Sequence, residues 1–253
     1  MFVLFIGTAG SGKTTLVNSF NEYLKSIDVK TKVVNLDPAV EYLPYKPDLD
    51  IRNKFTVEKI MIEEKVGPNH AQVLAMEKLA RNVEEILDPI AKSECDIVLV
   101  DTPGQMEVFA FREAGPKVAE YLAKNKPTTA VYLIDCALSK KISEIILSLM
   151  YSKVIELRLG APVITVINKI DLLGEKKERL KEIIETLNPN LIREEVLKET
   201  SGVIAELAIE TAEIILKYKA AERIIPISAL KSENLDELYY IINEVFCTCG
   251  DLT

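Results

Sequence analysis

Six short apolar runs, rich in β-branched residues, recur along the chain: Phe2 to Ile6, Lys32 to Leu36, Ile97 to Val100, Ala130 to Ile134, Val163 to Ile167 and Ile224 to Ile227. None shows the polar alternation of a half-exposed strand. A strand that is apolar on both faces needs a cover on both, which is how parallel strands between two helical layers read. Helical patterns lie between the runs, at Lys13 to Lys25, His70 to Ala91, Lys140 to Leu159, and twice within Lys176 to Lys219. In the second, Leu74, Leu79, Val83, Ile86, Leu87 and Ile90 recur at spacings near three and four and form one apolar stripe. Strands alternating with helices predict right-handed βαβ crossovers and an α/β fold: a doubly wound, mainly parallel sheet flanked by helices. The 253 residues suit a single domain. Two stretches exceed simple crossovers and read as insertions in it, at about 38–70, rich in Pro and charge, and at 174–221, helical in pattern.

With 31 basic and 39 acidic residues the net charge is −8, so the chain as a whole is not drawn to a nucleic-acid backbone or an anionic membrane. Neither is expected as a direct partner. Cys95, Cys136, Cys247 and Cys249 form no regular framework. Cys247 and Cys249 are spaced C-x-C, but no second Cys or His pair accompanies them and His70 is the only histidine, so they read as free thiols. The apolar start has no basic region before it and no small-residue cleavage site after it, and no run approaches the roughly 20 residues that span a bilayer. A reducing, cytoplasmic location is expected.

Directly after the first run comes Gly7-Thr8-Ala9-Gly10-Ser11-Gly12-Lys13-Thr14, a match to G-x-x-x-x-G-K-[ST]. Glycines let such a loop fold around phosphates with successive N–H groups pointing inward, the lysine brings charge to the β and γ groups, and the threonine hydroxyl ligates Mg²⁺. Gly7, Gly10, Ser11, Gly12, Lys13, Thr14 and the following Thr15 are therefore candidate phosphate contacts. Asp101-Thr102-Pro103-Gly104-Gln105 leaves the run ending at Val100. An acidic residue there can hold Mg²⁺ through its water shell, and Gly104 lets a backbone N–H approach the γ-phosphate.

Asn168-Lys169-Ile170-Asp171 follows the fifth run. The Asp171 carboxylate can accept from guanine N1–H and the exocyclic amine, while the Lys169 stem covers the face of the base. Adenine has no donor at the first of these positions, and a site built to hydrogen-bond its substrate can reject a mismatch by ~10⁴. After the sixth run, Ser228-Ala229-Leu230 can supply a backbone N–H to the guanine oxygen. All four pieces stand at strand C-terminal ends, in the chain order of P-loop GTPases. The chain resembles that superfamily from Phe2 to Leu230.

Ras-like enzymes run the strand after switch I antiparallel to the strand that ends in D-x-x-G. Here a helix from Lys13 leads into Lys32 to Leu36 and then Asp37-Pro38-Ala39, an order that makes this strand parallel and resembles the signal-recognition and MinD-like branch. The extra P-loop lysine of MinD-type members is absent, because that region is Thr8-Ala9. Gly67-Pro68-Asn69, taken with Asp37-Pro38-Ala39 and Asp101 to Gln105, is similar to the GPN-loop GTPases. By itself the tripeptide is a turn signal, and Asn69 could cap a helix starting at His70.

That resemblance implies Mg²⁺-dependent hydrolysis of GTP to GDP and phosphate in a homodimer, with Gly67, Pro68 and Asn69 of one subunit completing the other's site. Thr14, Asp101 and, by resemblance, Asp37 are the candidate metal positions. Lys13 would neutralise developing charge, and Asp37, Gln105 and Glu107 are the candidates to orient water. Arg112, as a finger in trans, reads more simply as a solvated helical arginine, and His70 as a helix-start residue rather than an acid or base. A second reading is a slow nucleotide switch or assembly factor acting through a protein, RNA polymerase-related by family resemblance, with 174–221 as its docking region. A third, a P-loop kinase, is disfavoured by Asn168 to Asp171, and preference for ATP would support it.

Overall fold

The computed structural model describes residues 1–139, 141–217 and 223–247. Its strands are β1 (Phe2–Gly7), β2 (Thr31–Asn35), β3 (Leu49–Asp50), β4 (Ile97–Asp101), β5 (Thr128–Asp135), β6 (Val163–Asn168) and β7 (Ile224–Pro226). They form one sheet in the order β3-β2-β4-β1-β5-β6-β7, and every pairing is parallel. The strand after the first crossover, β2, lies parallel beside β4, as the order of the sequence requires.

Successive residues of β1 serve opposite cores. Phe2, Leu4 and Ile6 face one layer, and Val3 and Phe5 face the other. The second layer is closed by α1 (Lys13–Ser26), through Leu16, Val17, Phe20 and Leu24. The first is covered by helices from the middle of the chain: α2 (Val57–Glu64), α3 (Pro68–Arg81), α4 (Val83–Ala91), α5 (Met106–Phe109), α6 (Ala114–Asn125) and α7 (Ile142–Leu159). Next come α8 (Lys176–Thr186), α9 (Pro189–Glu199) and α10 (Val203–Lys217), and then α11 (Leu235–Cys247), which joins α1 on its face. Burying both faces makes the middle of the central strands apolar without alternation, as in β1 and β4, so no polar residue there marks which way a side chain points.

The periodic stripe from His70 to Ala91 is not one helix. It breaks at Asn82, whose Nδ2 donates to the Lys78 carbonyl while its own carbonyl opens α4 by accepting from Ile86 N. The apolar stripe runs on across the break, so periodicity alone could not reveal it. The first of the two helices starts at Pro68 rather than His70, proline being suited to a position where the N–H would have no partner.

The region 174–221 holds three helices among its described residues, not two. Asn188 Oδ1 caps α9 and Pro189 opens it, which ends the continuity that the spacing implied. The insertion 38–70 contains the two-residue β3, a single 3₁₀ turn at Ile51–Asn53, and α2, all too short to show a period. The crossover α6 and the last helix α11 were likewise not anticipated. Cys249 lies outside the described residues, while Cys95 and Cys136 are unbridged thiols. No helix among the described residues is long and apolar enough to cross a membrane.

At the C-terminal edge of the sheet, β1 stands between β4 and β5, while the chain itself leaves it for β2 on the far side of β4. Such a reversal opens a crevice above the central strand. Residues after β4 are pressed close to the first turn of α6, where a Cβ on Gly115 would lie 2.7 Å from the Phe109 carbonyl and 3.0 Å from Ala110 Cα. Backbone cannot yield as a flexible side chain can. Gly115→Ala is expected to lower stability by about 1–2 kcal/mol, the overpacking outweighing the helix propensity that alanine gains. Urea unfolding of the two proteins checks it.

Candidate nucleotide-binding site

Gly7 ends β1, and the chain turns through Gly10 (φ 78°) and Gly12 (φ 92°) into α1. Both angles lie in the left-handed region that side chains rarely enter. A Cβ on Gly12 would also run into Asn168 Nδ2. No side chain caps the helix, so the first N–H groups of a 14-residue helix face the crevice with its positive dipole end. Lys13 is only 6% exposed, and its Nζ donates to the Gly7 carbonyl at 2.9 Å and the Thr8 carbonyl at 3.0 Å. Burial lowers its pKa against the opposing pull of Asp101, Asp37 and Glu107. Ser11 Oγ is buried without a partner, whereas Thr15 is exposed and its carbonyl accepts from Ser19 Oγ.

Asp101 ends β4 almost fully buried, and burial pushes its pKa up to about 6 although the Tyr45 and Thr14 hydroxyls and Lys13 favour the charged form. Its Oδ2 accepts from the Tyr45 hydroxyl at 2.7 Å, and Oδ1 has no partner of hydrogen-bonding geometry. Burial and the Asp101 charge push the Tyr45 hydroxyl far up, so it remains a donor. Asp37 accepts from Ala39 N at 2.8 Å through Oδ1 and from Gly104 N at 3.3 Å through Oδ2. The Gly104 amide that the sequence offers to a γ-phosphate is thus held by Asp37. Gln105 lies beside Asp37, Pro38, Gly104 and Gln72 around a cavity of about 200 Å³, with Gln72 Oε1 buried and unpartnered. Glu107 is exposed one residue into α5.

The Asn168 to Asp171 segment and the Ser228 to Ala229 segment form one bonded unit. Asn168 Nδ2 donates to the Ser11 carbonyl at 2.9 Å, while its Oδ1 accepts from Lys169 N at 2.8 Å and Ala229 N at 3.0 Å. Lys169 sits at φ 68° and reaches across to the Gly10 carbonyl at 2.7 Å and Asp135 Oδ2 at 2.6 Å. Asp171 Oδ1 accepts from Ser228 Oγ at 2.5 Å. The Ala229 amide is therefore already engaged by Asn168, and the exposed Leu230 follows it.

Gly67, Pro68 and Asn69 are exposed at the start of α3. Gly67, not Asn69, is the N-cap, its carbonyl accepting from Ala71 N at 2.9 Å. One turn further on, Gln72 lines the cavity beside Asp37 and Gln105. Arg112 is exposed in the link between α5 and α6. Sequence reasoning missed Asp135, though an acidic residue closing a buried run was a usable signal, as at Asp101. It also missed Tyr45, which carries no such signal among Pro44 and Pro47.

A family described as "Conserved hypothetical ATP binding protein" matches residues 5–248. The GPN-loop GTPase PAB0955 of Pyrococcus abyssi is 39% identical over 256 residues, covering all of both chains. The chain belongs to the GPN-loop GTPase family. The crystal structure of PAB0955, a GTPase in apo form from Pyrococcus abyssi, superposes with a TM-score of 0.86 at 35% identity and covers 98% of each chain. The GPN-loop GTPase QQT1 of Arabidopsis thaliana is 37% identical over 174 residues, 67% of this chain and 58% of its own length. Against GPN-loop GTPase 1 of Dictyostelium discoideum, 31% identical, the matched region spans 44% of the relative's length.

Because folding raises the Asp101 pKa from 3.8 to about 6, the folded protein binds this proton more tightly than the unfolded chain. The resulting stability is present in acid and is lost as pH rises from about 4 through 6. Asp101→Asn is therefore expected to stabilise the nucleotide-free protein at pH 7.5 by about 1–3 kcal/mol, and to have little effect near pH 4. Denaturant titrations of both proteins at the two pH values measure it.

Proposed function

We propose that this GPN-loop GTPase family member binds GTP with Mg²⁺ and hydrolyses it to GDP and phosphate as a homodimer, the Gly67-Pro68-Asn69 loop of each subunit completing its partner's site. The observation that carries the reading is the Asn168 side chain, which bonds the phosphate loop at Ser11 and the last loop at Ala229. It supports a single site in which phosphates lie on Gly7 to Thr15 while the base meets Lys169, Asp171 and Ser228 to Leu230.

Asp171 decides the base in this reading. A carboxylate accepts from guanine N1–H and its amine and finds no such pair on adenine, so the ATP in the family description is not the expected ligand. The Lys169 stem, stretched between Asp135 and Gly10, provides the surface that covers the ring. At the other end of the nucleotide, Lys13 and the α1 amides stabilise charge on the transferred group.

The donor set suits Mg²⁺. A buried carboxylate with an unpartnered oxygen stands beside the Thr14 hydroxyl, and no cluster of three or more His, Cys, Asp or Glu among the described residues could hold a cation alone. Such a set fits an ion that keeps its waters and shares phosphate oxygens. Thr14 and Asp101 would hold the ion, directly or through water, with Asp37 nearby; when bound it neutralises charge between the β and γ groups. Asp37, Gln105 and Glu107 stay the candidates to orient water.

A protein partner is a second reading, favoured by one observation. Leu197, Val203, Ile204, Leu207 and Ile214 of α9 and α10 are all exposed. Such a concentration of apolar side chains in the insertion is consistent with docking. Family resemblance makes RNA polymerase-related proteins the class to test.

GTP and ATP turnover with Mg²⁺, followed over a protein concentration series with the solution mass recorded, tests the main reading. GTP preference with specific activity rising as dimer forms is expected, and ATP preference would overturn the guanine assignment. Asp171→Ala should weaken guanosine diphosphate binding with little effect on adenosine diphosphate, measured by calorimetry. Asn69→Ala should cut GTP turnover by ~10²-fold if its amide meets charge developing in the transition state, with the mass of the dimer unchanged. Unaltered turnover would remove the trans role.

A further inference from the structure

We propose that Tyr45 is a positioning residue for Asp101: its hydroxyl holds Oδ2, so that Oδ1 is the oxygen offered to Mg²⁺ or its water shell beside Thr14. The inference rests on the proposed Mg²⁺ site and names what orients it.

Tyr45 comes from the insertion that follows Asp37, yet it is only 9% exposed. It belongs to the apolar layer on the α1 side of the sheet, the layer that holds Val3, Phe20 and Val33. The segment that delivers it is fastened on both sides. Arg52 is paired with Asp50 at 2.6 Å and donates to the Val40 and Glu41 carbonyls. Asp48 N donates to the Val33 carbonyl at 2.7 Å, and Asp48 Oδ2 accepts from Val33 N at 2.8 Å. The Asp48–Val33 pair holds this segment against β2, the neighbour of β4, the Arg52 contacts tie its two ends together, and the Tyr45 hydroxyl takes its place at Asp101.

That place is 2.7 Å from Asp101 Oδ2. A carboxylate on a strand end can rotate about its last bond, and either oxygen could then face the crevice. A fixed donor on one oxygen ends the ambiguity, and Oδ1 is the one left with no partner of hydrogen-bonding geometry. Hydrogen bonds of this kind to metal-bound carboxylates orient the ligand, and their loss typically costs 10–100-fold in metal affinity. A nonpolar purpose for the ring would be served as well by phenylalanine. The hydroxyl is what needs explaining, because burying it is unfavourable unless it is bonded.

Tyr45→Phe removes one oxygen and keeps the ring in its layer. Release of a fluorescent GDP analogue from the full chain, measured while Mg²⁺ is titrated against chelator, reads metal affinity without any turnover. In the unaltered protein Mg²⁺ should slow release with a defined half-saturation. Tyr45→Phe should raise that half-saturation by ~10-fold and leave release in chelator unchanged. In an Asp101→Asn background the same substitution should change it by less than about twofold, since the group it positions is gone. A half-saturation in Tyr45→Phe within twofold of the unaltered protein, or an undiminished effect in the Asp101→Asn background, overturns the positioning role. Release from the unaltered protein that ignores Mg²⁺ would instead overturn the metal site itself. Thermal melting of both proteins confirms that each is folded over the titration.

Discussion

Everything at the crevice depends on one side chain that is bonded in three directions. Asn168, at the end of β6, donates to Ser11 and accepts from Lys169 and Ala229. Loops that follow three different strands are thereby held at one spacing, set by the width of a single amide. The amide is 1% exposed, so each of its bonds competes with nothing from solvent and each broken one would leave a buried polar group unpaired. Only a residue without Cβ fits opposite it at Gly12, and the close approach of loop and amide is mutual.

Charge in the crevice follows the same logic. Lys13 and Asp101 are buried, which disfavours the charged form of each, and each is also the largest nearby opposite charge for the other. A fold selected for stability alone would have no reason to bury them. They are the groups whose chemistry a phosphate and its cation would use, and the surrounding elements hold them in place: carbonyls of the P-loop for Lys13, the Tyr45 hydroxyl for Asp101. Asp37 takes the Gly104 amide, which links the segments after β2 and β4.

Much of this was legible in the sequence. The six apolar runs are six strands of the sheet, with ends shifted by a residue or two, and the P-loop, D-x-x-G and N-K-x-D residues stand at the ends of the strands to which they were assigned. Runs that bury both faces are apolar without alternation, and loops that follow them need few residues to identify. The failures share a cause. Asn82 breaks a helix without interrupting its apolar stripe, and Asn188 with Pro189 divides another region that composition alone describes as helical. Periodicity reports which face is buried, not whether the backbone is continuous.

The sequence by itself determined the parallel sheet, the phosphate loop and the order of the nucleotide motifs, because each is written in neighbouring residues whose spacing local backbone geometry enforces. The tertiary structure alone decided the contacts between distant residues. Tyr45 meets Asp101, Asp135 meets Lys169, and Asp37 takes the Gly104 amide. None of these pairs is local in the chain, and a polar residue in a proline-rich loop carries no local mark of the buried group it will meet. Only the packing of the segment 40–52 onto β2, and of β5 beside β6, brings the partners within reach.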